Sequence, residues 1–527
     1  MNTGEARLAM APVCGDIRSM ASQRDIDNRW AITAALMLAT LMNTLDSTIA
    51  NVALPHIQGS VSAAQDQITW VLTSYIIAAA IMTPLSGWLA LKIGRRRMLL
   101  LSIASFTVAS MLCGIATSLP EIVVFRLIQG IAGASTIPLS QGVMLDLFPL
   151  AKIPQVMAIW SSAVILGPIV GPVLGGWLTE NYSWRWVFYI NVPIGILAFV
   201  GLQLFMEDDP GGRERPFDFL GFGSLVTFIV GFQLMLDRGP SQDWFDSKEI
   251  WLEGAAAMVG LWMFLMQTFT AREPFFHRDL ARDRNFVATT VFGFFVGALL
   301  YSSSALLPSM MQNLMGFTVL ESGYAQMPRG VGSLLAFVAV PFLLHRFGPR
   351  PVLILGLVLS ALALVQMSRF SLLMTAEPIQ LSGFIQGLGT GLMFGPLTAL
   401  AYVTLAPVHR TEGTIVSTMV RSLGASAGIS ILQAGVIRQS AAAHNALADR
   451  TIPSDPAFAA SLPSLLNPDT ELGVQALNGE VTRQAAMIGY DAMFTLMIVM
   501  IVVMAPLLLM LRPPRTPPAG EPIEPAH

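Results

Sequence analysis

Apolar stretches of about 20 residues recur along almost the whole chain, and each is long enough to cross a hydrocarbon layer about 30 Å thick as a helix. This constrains the fold more than any other feature. The 527 residues are 54% hydrophobic and 12% charged, against roughly 25% charged in a water-soluble domain. The runs are apolar on every face and carry Gly and Pro freely, whereas barrel strands alternate polar and apolar positions. The expected fold class is therefore an all-α polytopic membrane protein.

Reading the apolar runs between charged or Pro/Gly-rich breaks predicts helices near 30–54, 67–91, 98–117, 121–145, 154–179, 185–206, 217–237, 250–270, 286–312, 322–344, 351–368, 378–404, 412–437 and 487–511. Lys and Arg favour one set of loops over the other by about three to one, which puts both termini in the cytoplasm by the positive-inside rule. Residues 1–29 contain Arg7, Asp16, Arg18 and Arg24 without a compact apolar core, so they read as a cytoplasmic tail rather than a signal peptide. Cys14 and Cys113 are the only cysteines, which excludes a disulfide framework. The net charge of −3 and the lack of a long basic tract give no sign of a nucleic-acid partner.

The chain repeats itself at long range. Ala53-Leu54-Pro55 is echoed by Leu306-Leu307-Pro308. Leu89, Lys92, Gly94, Arg96 and Leu99 are echoed in order by Leu343, Arg346, Gly348, Arg350 and Leu353, an offset of 254. Ile128-Gln129-Gly130 with Pro138 is echoed by Ile385-Gln386-Gly387 with Pro396. Two six-helix halves follow, 30–206 and 286–511, separated by an inserted helix pair with its linkers at 207–285 and ending in a cytoplasmic tail at 512–527. Parallel repeats of this kind place a substrate cavity between the halves near the midplane, with alternating access by rocking.

Within the segment Leu45-Asp46-Ser47-Thr48, Asp46 lies about nine residues, or roughly 14 Å, inside the external end of its helix. An ionised carboxylate at that depth is costly unless paired or protonated. It is a candidate for proton binding and release, or else a packing carboxylate locked to an arginine. Arg126, in Arg126-Leu127-Ile128-Gln129-Gly130, is expected in the same leaflet, and a guanidinium remains charged there. The run Gly87-Trp88-Leu89-Ala90-Leu91-Lys92-Ile93-Gly94-Arg95-Arg96-Arg97 makes a tight cytoplasmic turn, where glycine permits the bend and the basic cluster sits near lipid phosphates. Gly167, Gly171 and Gly175 recur every four residues on one face, which admits a neighbouring backbone. Pro168 and Pro172 between them each remove a helix hydrogen bond. Trp184-Arg185-Trp186-Val187-Phe188-Tyr189-Ile190-Asn191 reads as an interfacial aromatic belt. Arg329 and Arg421 place cations inside second-half helices, where they need partners or a water-filled cavity.

These motifs together resemble the major facilitator superfamily. With the inserted pair they resemble its fourteen-span drug:proton antiporter branch, the EmrB/QacA type, and EmrB-like multidrug efflux pumps within it. The resemblance implies a proton-coupled antiporter of the inner membrane that exports amphipathic small molecules, driven by the proton gradient and without a bound cofactor. It makes Asp46 part of its first motif, assigns proton coupling to Arg126, for which a purely structural anchor is the alternative, and gives a conformational latch to the 87–97 turn and an antiporter signature to the glycine helix. The acid that the family carries at position 91 is Leu91 here, which leaves a plain topology determinant open beside the latch. Leu236-Asp237-Arg238-Gly239 and Asp243-Trp244-Phe245 resemble the connection between the inserted helices. The external stretch 438–486 is long and polar, either a connector or a docking surface for a periplasmic adaptor that leads to an outer-membrane channel.

Other classes fit less well. There is no phosphate-binding Gly-Lys-Ser/Thr loop and no His-Glu-x-x-His, and the six histidines are scattered without metal-ligand spacing. An enzyme and a metalloprotein are therefore not expected. The 29 Met and 29 Phe residues suit an adaptable apolar pocket but equally suit packing and lipid contact, so the substrate-binding residues stay unassigned. A dedicated exporter of one endogenous metabolite, and a proton-coupled uptake carrier, remain the alternatives.

Overall fold

A computed structural model of the chain describes residues 11–63, 67–68, 70–149, 152–208, 216–449 and 470–511, with side chains from Asn28 onward. Residues 1–10, the Cys14 side chain, 450–469 within the long polar stretch, and the tail 512–527 lie outside the described residues.

Among the described residues, fourteen helices are long and apolar enough to cross a membrane. In chain order they are α1 (Asn28–Val61), α2 (Trp70–Ile93), α3 (Arg95–Ile115), α4 (Leu119–Leu147), α5 (Gln155–Asn181), α6 (Trp186–Phe205), α7 (Phe219–Arg238), α8 (Lys248–Thr270), α9 (Arg284–Leu314), α10 (Leu320–Phe347), α11 (Pro349–Met367), α12 (Ala376–Tyr402), α13 (Arg410–Ala448) and α14 (Glu471–Met510). There is no strand among the described residues. The protein is a multi-pass membrane protein of two six-helix halves, α1–α6 and α9–α14, with α7 and α8 between them.

The burial pattern inverts that of a soluble domain. Leu101, Val108 and Ile115 of α3, Leu197 and Leu204 of α6, and Met258 and Trp262 of α8 are exposed, whereas Asp46, Arg126, Gln129, Asn191 and Arg329 are buried. Lipid tails solvate the apolar outside, and polar side chains must find partners within the bundle. The inserted helices α7 and α8 pack on each other, and α7 leans on α2, where Thr73 donates to Asp237 at 2.7 Å.

The repeat seen in the sequence has a structural counterpart at the two tight turns. Gly94 and Gly348 both adopt positive φ, 91° and 78°, a backbone region that favours glycine. Arg96 donates to the Gln203 carbonyl at the end of α6, and Arg350 donates to the Leu511 carbonyl just after α14. Each turn is thereby tied to the end of the last helix in its own half. The face carrying these two turns is the turn face.

Two expectations change. The apolar run of α13 ends at Ile437, but the helix continues to Ala448, and α14 begins at Glu471 rather than 487. Much of the 438–486 stretch is thus helix, not loop: His444 and Asn478 pair across it at 3.1 Å, and Gly489 packs against Ser440. Eleven helical residues beyond Ile437 project about 16 Å. The tryptophan segment before α6 is also only partly a belt. Trp186 is exposed, but Trp184 and Phe188 are buried, with Trp184 Nε1 donating to Ser60 at 2.9 Å.

Candidate functional site: a buried acid–base network

Asp46 and Arg126, distant in sequence, meet inside the first half. Arg126 donates to Asp46 Oδ2 at 2.6 Å, and the two side chains are 1% and 0% exposed. The other carboxylate oxygen is also occupied. Asp46 Oδ1 accepts from Gln129 Nε2 at 2.9 Å and from Asn191 Nδ2 at 2.8 Å. Arg126 donates further to Gln129 Oε1 at 2.8 Å and, through Nε, to the Val71 carbonyl at 3.2 Å. Its guanidinium lies over the Tyr75 ring, 4.3 Å from the centroid. A buried ion pair is tolerable only when its remaining donors and acceptors are met in this way.

Each partner is delivered by a local feature of the sequence. Gln129 lies three residues after Arg126 on one face of α4. Asn191 stands at a break in α6 between Trp186–Tyr189 and Asn191–Phe205, which turns its amide inward. There it also donates to Ser110 at 3.0 Å. Sequence reasoning placed Asn191 in the belt, left Tyr75 unremarked and read Gln129 only within the Arg126 motif and its repeat, with no role of its own. A polar residue in an apolar run was the available signal.

The glycine face of α5 sets the depth of Asp46. A Cβ at Gly167 would collide with Thr44, one at Gly171 with Thr48, and one at Gly175 would come within 2.7 Å of Ile49. Thr44 donates to the Ala163 carbonyl at 3.3 Å and Thr48 to that of Gly167 at 3.2 Å. The missing side chains let α5 lie directly on the helix that carries Asp46. Pro168 and Pro172 remain within a continuous helix. Ile169 and Val173 of the same segment pack on Gly330 and Gly323 of α10 in the other half. An apolar cleft of about 210 Å³ opens there, lined by Ile169, Val173, Trp177, Tyr324 and Met327. Gly130 fits α4 against α2, since a Cβ would strike the Tyr75 carbonyl.

The second half holds no matching acid–base pair among the described residues. Arg329 is 4% exposed and donates to Ser303 at 2.8 Å, Ser304 at 3.1 Å and the Leu300 carbonyl at 3.1 Å. Arg421 lies 5.7 Å from the Phe394 ring centroid. Asp491 of α14, which sequence reasoning passed over, is half-buried, and its Oδ1 has no hydrogen-bond partner among the described residues.

The turn face is closed between the halves. Asp146 at the end of α4 accepts from Arg95 at 2.5 Å and lies 3.6 Å from Arg410 of α13. Gly87 of α2 packs against Ile415 of α13. With Leu91 in place of the family acid, the 87–97 turn reaches the second half through Arg95, Asp146 and Arg410.

Comparison with known proteins matches residues 36–429 to the Major Facilitator Superfamily. The multidrug export protein EmrB of Escherichia coli (strain K12) is 34% identical over 81% of this chain and 83% of its own length. The fatty acid resistance protein FarB of Neisseria gonorrhoeae is 32% identical over 92% of this chain and 96% of its own. Among solved structures, the human organic anion transporter MFSD10 (TETRAN) aligns with a TM-score of 0.57 at 14% identity, over 90% of this chain and 99% of its own. A bacterial homolog of the human lysosomal transporter Spinster, inward-facing and unoccupied, aligns with a TM-score of 0.54 at 18% identity, over 92% and 97%.

Proposed function

The chain belongs to the Major Facilitator Superfamily, and from that premise we propose that it is a multidrug efflux transporter that exchanges protons for amphipathic small molecules. The observation that carries the coupling is the sealed Asp46–Arg126 pair. Protonation of Asp46 removes one of two mutually compensating charges. Arg126 is then left buried without a counter-ion, a state that costs several kcal/mol and is relieved only if α1 and α4 move apart or admit water. Proton uptake is thereby converted into a change of helix packing, transmitted through the Thr44 and Thr48 contacts to α5 and on to α10. The similarity over most of the chain to EmrB, a multidrug export protein, and to FarB, a fatty acid resistance protein, supports export as the direction.

The orientation follows from the charge bias: turn face and termini in the cytoplasm, the opposite face toward the periplasm, and the chain in a bacterial inner membrane. The turn-face contacts through Asp146 then hold the cytoplasmic gate shut. The helical hairpin formed by the ends of α13 and α14 offers a surface for a periplasmic adaptor leading to an outer-membrane channel.

The reading is tested by expressing the protein in an exporter-deficient bacterium and challenging it with lipophilic dyes, uncouplers and long-chain fatty acids. Tolerance to several unrelated compounds, lost when the proton gradient is collapsed, is expected. Protection against one compound class only would favour a dedicated exporter, and protection that survives collapse of the gradient would refute proton coupling.

A further inference from the structure

We propose that His277, Asp279 and His409 form a binding site for a divalent transition metal ion of the zinc type, which clips the linker after α8 to the start of α13. The sequence gives no such sign, because the ligands come from two segments far apart in the chain. In the fold, one donor atom from each of the three residues lies within 4.8 Å of the other two. His277 Nδ1 is 3.3 Å and His409 Nε2 is 3.7 Å from the same Asp279 oxygen. Donors about 2.0–2.2 Å from a tetrahedral ion sit roughly 3.4 Å apart, so small side-chain rotations complete the site.

The donor set selects the metal. Two imidazoles and one carboxylate suit Zn²⁺, Co²⁺, Ni²⁺ or Cu²⁺, whereas Mg²⁺ and Ca²⁺ take oxygen ligands. The side chains of His277 and Asp279 are 44% and 52% exposed, which leaves a fourth position open to water. The histidine rings are already in contact, with centroids 4.2 Å apart. The site is also anchored. Phe275, Phe276 and Leu280 around His277 are buried, and the His277 N–H donates to Glu412 of α13 at 3.1 Å. The interaction displaced by the metal is weak, a 3.4 Å contact from the Asp279 N–H to His277 Nδ1.

The placement gives the ion a consequence. His409 directly precedes Arg410, whose guanidinium faces Asp146 across the halves. A bound ion fixes the end of α13 that carries this contact and favours the state closed on the turn face.

The test uses full-length protein in detergent with its purification tag removed, and Co²⁺ as the probe. Saturable one-to-one binding with visible ligand-field bands, displaced by Zn²⁺, is expected. His277→Ala and His409→Ala should each weaken it by at least about tenfold, and His56→Ala should leave it unchanged. Zn²⁺ should raise the melting temperature of the wild type but not of His409→Ala. Absence of a saturable band, or its persistence in the double variant, overturns the proposal. Should the variants not fold, Cu²⁺-loaded wild-type protein decides by pulsed EPR: couplings from two imidazoles support the site, and one or none overturns it.

Discussion

Arg329 stands in the second half where Tyr75 stands in the first. Each backbone carbonyl lies against the glycine of a repeated Ile-Gln-Gly, and a Cβ on Gly387 or Gly130 would strike it. Gly383, the counterpart of Arg126, has no side chain to offer, and Leu299 occupies the place of Asp46. The duplicated framework is shared but its charges are not, so among the described residues only the first half carries a fully buried, compensated acid–base pair.

This asymmetry predicts unequal responses to the same substitution. Arg126→Met strands Asp46 in a buried site and should destabilise the protein by about 3–5 kcal/mol. Arg329→Met leaves the Ser303 and Ser304 hydroxyls and the Leu300 carbonyl without this donor but strands no charge, a smaller loss of about 1–3 kcal/mol. Thermal unfolding of the two variants in one detergent checks this; equal losses would count against it.

The pair and its job can be separated. Asp46→Asn with Arg126→Gln leaves neutral groups able to hydrogen-bond with Gln129 and Asn191, so the double variant should recover most of the stability lost in either single variant. Proton-driven export should stay absent. Recovery of both stability and export would make the pair a packing device only.

Most of the scaffold was legible from the sequence, because a bilayer imposes a length and polarity on every span. Asp46 and Arg126 stood out because charge is rare inside such spans. Gln129, Asn191 and Tyr75 did not, since nothing local says that three uncharged residues on different helices converge on one ion pair. The α13–α14 hairpin was missed for a different reason: reading hydropathy ends a helix where its apolar run ends, but a solvated helix can continue on polar residues. Asp146 and Arg410 are brought together only by the docking of the two halves, and His277 and His409 only by the packing of the linker after α8 on the start of α13.

The α1–α5 contact should be sensitive to single atoms. Gly171→Ala drives a methyl into Thr48, and overpacking of this kind costs about 1–3 kcal/mol. Adding Thr48→Ala removes the hydroxyl and should restore most of the melting temperature. Failure of this rescue would mean that Gly171 is needed for something other than the contact.

The turn-face gate rests on partly exposed ion pairs, each worth about 0.5–1 kcal/mol. Asp146→Ala removes the Arg410 contact that crosses the halves, along with the Arg95 contact within the first half, so it should raise the ratio of turn-face-open to closed molecules by roughly two- to fivefold. Distances between spin labels at the α4 and α13 ends would show this as a longer-distance population. An unchanged distribution would leave the 87–97 turn with a topological role only.

The central claim, that Asp46 couples protons to export, is tested most directly in proteoliposomes containing wild-type or Asp46→Asn protein under an imposed pH gradient. The probe is a lipophilic dye chosen from the tolerance panel. Wild-type protein should move dye against its gradient as protons flow the other way. Asp46→Asn should retain dye exchange at equal pH but show no uphill movement, whereas Asp491→Asn should still pump. Uphill pumping by Asp46→Asn at the wild-type rate would contradict the account.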